Sequence, residues 1–218
     1  MVLDMGTSGA RTYLMGAKAS PRAFGLLIPA VLLGLVACGT VTTSASRRGT
    51  ADLVVQDFCR SFGRKQGLAL SNLFADSARF DIDGVNVSFI GRDGIARLTE
   101  YGTAVHSRLA ARNFEVSHDT VRCRLNEEND WLRLLWVGHA SYDGWFLVSG
   151  PKIVEARVNL TPQSSDELGR RLAGFVAWLI AEDPKAIQRL FPNGKPAYDS
   201  RVVPELIALL RRWRARAR

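Results

Sequence analysis

His139, Tyr142 and Asp143 fall within one short stretch, VGHASYDG (137–144). An imidazole beside a carboxylate can act as a general base, and a nearby phenol can return the proton. Strand parity weighs against His139. It shares its phase with Arg133 rather than with Leu134 and Trp136, so an exposed ring is expected unless a bulge near Gly138 re-aims it. His106 and His118 stand alone, on a helix and on a strand. Three histidines scattered in this way lack the spacing of a metal site, and no Cys-x-x-Cys occurs. No metal and no cofactor is expected. The chain also has no phosphate-cradling glycine loop and no G-x-S-x-G elbow. Cys59 and Cys123 both fall on apolar faces and are expected as buried free thiols, although an oxidising compartment would permit a bridge.

Cys38 is a different case. It closes an uncharged apolar run, Ala23 to Ala37, that follows Lys18 and Arg22. A basic start, an apolar middle and a small-residue end make a secretory signal, and the run is shorter than the roughly 20 residues of a membrane span. Translation from Met15 would give the signal a more usual length. Leu35-Val36-Ala37-Cys38 resembles the bacterial lipobox, which implies that the Cys38 thiol carries lipid and becomes the first mature residue. Residues 1–37 are then a signal peptide, and 38–49 a flexible polar tether. The resemblance implies a lipid-anchored protein of the cell envelope. With Gly39 after the cysteine, it implies the outer membrane if the organism is Gram-negative.

The net charge is +8, but it is concentrated at the ends. Five arginines close the chain in RRWRARAR, and the first 37 residues add Arg11, Lys18 and Arg22 against Asp4. The middle is close to neutral, with no basic stripe interleaved with aromatics, so no nucleic-acid partner is expected.

The elements that must position these groups follow from periodicity. Thr50 is placed to cap a helix from Ala51, with Val54, Phe58 and Phe62 on one face and Val55 and Cys59 beside them. Gly63 and Gly67 end it, and Leu68, Leu70, Leu73 and Phe74 suggest a second short helix. Residues 78–82 (ARFDI) alternate as a strand, Asp83-Gly84 turns it, and 85–90 returns. Gly91 to Gly94 opens a helix carrying Ile95, Leu98, Gly102, Val105 and Leu109. Three strand-like segments follow, at about 113–125, 131–141 and 145–159, with NEEND (126–130) and Tyr142-Asp143-Gly144 as turns. This order predicts an α+β fold over residues 50–160, with N-terminal helices packed on a curved antiparallel sheet.

The run LFADSARFDIDG (73–84) followed by GRDGIARL (91–98) resembles the nuclear transport factor 2-like superfamily, which includes SnoaL-like polyketide cyclases and ketosteroid isomerases. The resemblance covers about residues 51–160 and implies a cone whose sheet wraps an apolar pocket. Phe80, Ile82, Cys123, Leu134 and Trp136 are then expected to line the pocket, with Tyr101 at its mouth. Arg79, Asp81, Arg122, Arg124 and Arg133 are expected outside. In the ketosteroid isomerases the matching strand carries the proton-moving aspartate. An ungapped match places Ile82 there and leaves Asp83 one residue off, on the other face. The candidates for catalysis are therefore Asp83, His139 and Tyr142. The expectation is a non-catalytic pocket for a small lipophilic ligand or a protein partner. The alternative is an isomerase, cyclase or hydrolase working by acid–base catalysis.

Residues 161–218 read as a helical extension with a basic tail. Thr161–Ser165 is a linker and cap. Leu168, Leu172, Phe175, Val176, Leu179 and Ile180 form a helical stripe from Asp166. Asp183-Pro184 starts another helix, and a last one covers about 203–215. The extension is expected to cap the pocket or to form a homodimer or envelope-protein contact. The terminal arginines suit a solvated tail or an anionic lipid surface.

Overall fold

The structure is a computed structural model that describes residues 44–64 and 70–216. The proposed signal peptide, Cys38 and the first part of the tether lie outside the described residues.

Helix α1 spans Ser44–Ser61. It starts well before the expected Ala51, so Thr50 lies inside it rather than capping it. Residues 44–48 (SASRR) contain no helix breaker, and Ala and Arg are good helix formers. Val54, Val55, Phe58, Cys59 and Phe62 are all buried, as their spacing requires. Gly63 ends the helix at φ +74°, where a Cβ would lie 1.8 Å from the Ser107 carbonyl oxygen. Only glycine permits that approach.

Strand β1 spans Phe74–Ile82, so Phe74 belongs to the strand and not to a second helix. A 3-10 turn at Asp83–Val85, with Asn86 left-handed, leads into β2 (Val87–Ile90). Helix α2 (Gly91–Ala104) follows. Four more strands complete the sheet: β3 (Arg108–Ser117), β4 (Thr120–Glu128), β5 (Ala140–Ser149) and β6 (Lys152–Leu160). The six strands run in the order β2-β1-β6-β5-β4-β3. All pairs are antiparallel except β1 with β6, which is parallel. The result is the α+β fold expected, a curved, unclosed sheet carrying helices, with one parallel pair inside it.

The expected layout fails at Leu109 and over residues 126–144. Leu109 starts a strand rather than ending a helix, and Tyr142-Asp143-Gly144 lies within β5 instead of forming a turn. Residues 131–141 are not one strand. The Asn129 side chain accepts a hydrogen bond from the Leu132 N–H at 2.9 Å and caps helix α3 (Asp130–Leu134). Leu132 and Leu135 are fully buried. Their three-residue spacing is helical, and Trp136 then turns the chain at φ +58°.

Two cores result. One fills the cone around Phe58, whose ring lies 5.6–5.9 Å from those of Phe62, Phe74, Phe80 and Phe146. The other joins α3 and the start of β5 to three helices of the extension: α4 (Pro162–Glu182), α5 (Pro184–Leu190) and α6 (Val203–Arg216). Thr161 caps α4 through the Ser164 N–H, with Pro162 in the first turn, so α4 begins earlier than Asp166. Asp183 caps α5 in the manner expected. Phe175 and Leu179 are fully buried, whereas Ile180 is 59% exposed.

Candidate functional site

Register decides which side chains enter the cone. Val121, Cys123 and Leu125 of β4 pair with Phe146, Gly144 and Tyr142 of β5. On the far side Phe80 and Ile82 of β1 pair with Ala156 and Val158 of β6. Alternation carries the inward face of β4 one step further, from Leu125 to Glu127. A carboxylate thus enters an otherwise apolar and aromatic interior.

The cavity inside the cone has a volume of about 60 Å³. Phe80, Ile82, Leu98 and Val158 form its apolar wall, and Glu127, Tyr101, Tyr142, Tyr198 and Trp131 its polar and aromatic side. Glu127 Oε1 accepts from Ser107 Oγ at 2.5 Å and from Asn129 Nδ2 at 3.0 Å. Its Oε2 accepts from the Tyr142 hydroxyl at 2.9 Å. All three donors are neutral, and no Lys, Arg or His forms an ion pair with Glu127 among the described residues. Burial pushes the pKa values of Tyr101, Tyr142 and Tyr198 above the ordinary phenol value, and the nearby Glu127 carboxylate pushes them up further. The three phenols therefore stay protonated and serve as donors and ring surfaces, not as bases.

Tyr198 comes from the extension. It lies between α5 and α6, and its ring packs 5.0 Å from Tyr101 and 5.8 Å from Phe89. Nearby, Lys195 Nζ donates to the Asn86 carbonyl at 3.1 Å and the Ala197 N–H to the Leu190 carbonyl at 2.9 Å. The extension thus supplies one wall of the cavity.

The expected site residues separate clearly. Phe80, Ile82, Tyr101 and Tyr142 line the cavity. Cys123 does not: it is buried in the core beside Cys59. Both thiols are free, and burial pushes each up to about 12. Leu134 and Trp136 lie outside the cone, because α3 and the turn after it replace the expected strand. Leu134 packs into the second core, and Trp136 stacks edge-on with Trp213 at 5.1 Å beneath the Arg214 guanidinium. His139 is exposed before β5, and Asp83 is exposed in the turn after β1. Neither meets Tyr142. Arg79, Arg122, Arg124 and Arg133 stay outside. Asp81 is buried on the outer face, where it accepts from Arg79 and Ser88. Trp145 also faces outward, under Arg157. The residues missed were Glu127, Trp131 and Tyr198. Glu127 was concealed in an apparent turn, although its parity with Val121, Cys123 and Leu125 points inward.

Among the described residues no group of His, Cys, Asp and Glu could hold a metal, and no helix is long and apolar enough to cross a membrane. The tail arginines fold onto the protein. Arg212 and Arg216 lie over Trp178, and Arg216 also pairs with Glu182.

No protein-family model matches the chain, and no curated protein matches it. Solved structures similar to it include an LEH-like epoxide hydrolase of M. tuberculosis, 13% identical over 60% of this chain and 97% of that one, with a TM-score of 0.45. Another is a nuclear transport factor 2-like protein of unknown function from Cytophaga hutchinsonii, 11% identical over 52% of this chain and 92% of that one, with a TM-score of 0.42. A de novo designed protein with a curved β-sheet is 16% identical over 58% of this chain and 97% of its own, with a TM-score of 0.44. These are likenesses of fold.

Proposed function

We propose that this protein is a membrane-tethered binding module whose cone holds a small ligand against Glu127, without turning it over. The carrying observation is the state of that carboxylate. A general base needs a free lone pair aimed at the substrate. Three of the roughly four acceptor positions of Glu127 are already taken by protein donors. The residues offered by sequence as further acids and bases, His139 and Asp83, stand away from it. Cys38 would hold the module at the membrane of the cell envelope.

One contact favours a second reading. Tyr142 and Glu127 form a phenol–carboxylate pair inside the cavity, the minimum needed for acid–base work on a lipophilic substrate by a SnoaL-like isomerase, cyclase or hydrolase.

The test is native mass spectrometry of the full chain taken from its own membranes without harsh delipidation. A bound small molecule, lost on unfolding and returned unchanged after incubation, supports the binding module. Conversion of that molecule supports the enzyme. A ligand-free mass in every preparation counts against both. The same spectrum reports the lipid: Cys38→Ser should lose the acyl mass and leave the membrane fraction.

A further inference from the structure

We infer that the cavity takes a small organic cation, of the alkylammonium class. This rests on the reading of the cone as a ligand site and names the chemistry of its ligand.

Two features of the cavity point the same way. The first is an uncompensated carboxylate. Glu127 reaches the cone interior, where it accepts from Ser107, Asn129 and Tyr142, yet none of these brings a positive charge. Glu127 is half-buried, and a carboxylate drawn partly out of water gains from a cation placed beside it. Here the protein supplies donors and leaves the charge open. The second is the nature of the remaining walls. Tyr101, Tyr142, Tyr198 and Trp131 share the cavity with Glu127, and Phe62 and Phe80 lie on its other sides. Aromatic faces attract cations through their quadrupoles, most strongly where water is excluded, and cages of such rings recognise methylated ammonium groups. A neutral apolar ligand would use the rings and leave the charge unanswered. An anion would meet Glu127 with no cation to offset it.

Size limits the ligand further. The space beside Glu127 is small, about 60 Å³, which favours a compact methylated ammonium over a longer-chain amine. Tyr198 is the wall most able to yield, since it belongs to a loop of the extension and not to the sheet.

The test titrates the full chain with trimethylammonium chloride and, separately, with tert-butanol, a neutral molecule of similar shape, at matched ionic strength. Calorimetry and the thermal midpoint are the readouts. The cation should bind at least about tenfold more tightly than the alcohol and raise the midpoint, and sodium chloride alone should not. Glu127→Gln should erase the preference. Tyr198→Leu keeps the carboxylate and removes one ring, so it should weaken the cation about threefold to tenfold even if the glutamine variant fails to fold. Equal binding of alcohol and cation, unchanged in either variant, overturns the cation and leaves the ligand-binding cone standing. Failure of both probes to bind overturns the cation and counts against the cone as a site for small ligands.

Discussion

Replacing Tyr198 with alanine removes the ring with which the extension closes the cone. An aromatic side chain buries at least about 150 Å². At about 25 cal/mol per Å² that is close to 4 kcal/mol. Tyr198 is half-buried, and a real unfolded chain already hides part of this surface, so about 1–2 kcal/mol is the expected loss. The value falls below the range of roughly 3–5 kcal/mol seen when fully buried aromatic residues become alanine. Urea unfolding of wild type and Tyr198→Ala, followed by fluorescence and circular dichroism, measures it. Because the vacated space adjoins the existing cavity beside Tyr101 and Phe89, the variant should also take up benzene, as engineered apolar cavities do, and benzene should raise its thermal midpoint. Wild type should not respond. A loss below about 0.5 kcal/mol with no uptake of benzene would refute the assignment of Tyr198 as a wall of the cavity.

Three further outcomes follow from the geometry. Gly63→Ala places a Cβ against the Ser107 carbonyl in a left-handed backbone, and should cost about 3 kcal/mol or more, read as a fall in the urea midpoint. Asn129→Ala removes both the cap of α3 and one donor to Glu127, for a combined loss of about 2–4 kcal/mol in the same assay. Cys59 and Cys123 should resist a thiol reagent at pH 8 in the native protein and react together on unfolding. Their folded values are raised from 9.0 to about 12, so the unfolded chain releases these protons first and stability should decline from about pH 9 to pH 12. Prompt native labelling, or a flat alkaline limb in a variant lacking the tyrosine contributions, would contradict their burial.

Much of the cone could be read directly from the residues. Phe58 and Phe62 on α1, and Phe80 and Ile82 on β1, follow simple periods of 3.6 and 2, and the structure buries them accordingly. The reading broke down at Asn126–Asp130. A run of five polar residues looked like a turn, yet Asn126, Glu127 and Glu128 continue β4 and Asn129 caps a helix. Strand parity carried past Asn129 then placed Leu134 and Trp136 in the wrong core. Local pattern could have corrected this, since Asn129 followed by Asp130 is a helix start. Tyr198 is another matter. Its neighbours Tyr101 and Phe89 lie far off in sequence, and a tyrosine in a loop carries no periodic signal of the wall it will form. His139 and Asp83 were chosen by residue type, and type alone does not bring groups together.

The parallel pairing of β1 with β6 has a bearing on how the chain is made. Phe80 lies beside Ala156, and the Ile153 N–H donates to the Leu73 carbonyl at 2.7 Å. The first large strand is therefore completed by the last. A chain emerging N-terminus first holds α1 and β1 with their phenylalanines uncovered until residue 160 has followed. Such long-range closure is slow, and the waiting segments are prone to stick. The core around Phe58 gains its full cover only when about 160 of the 218 residues are available, nearly three-quarters of the polypeptide.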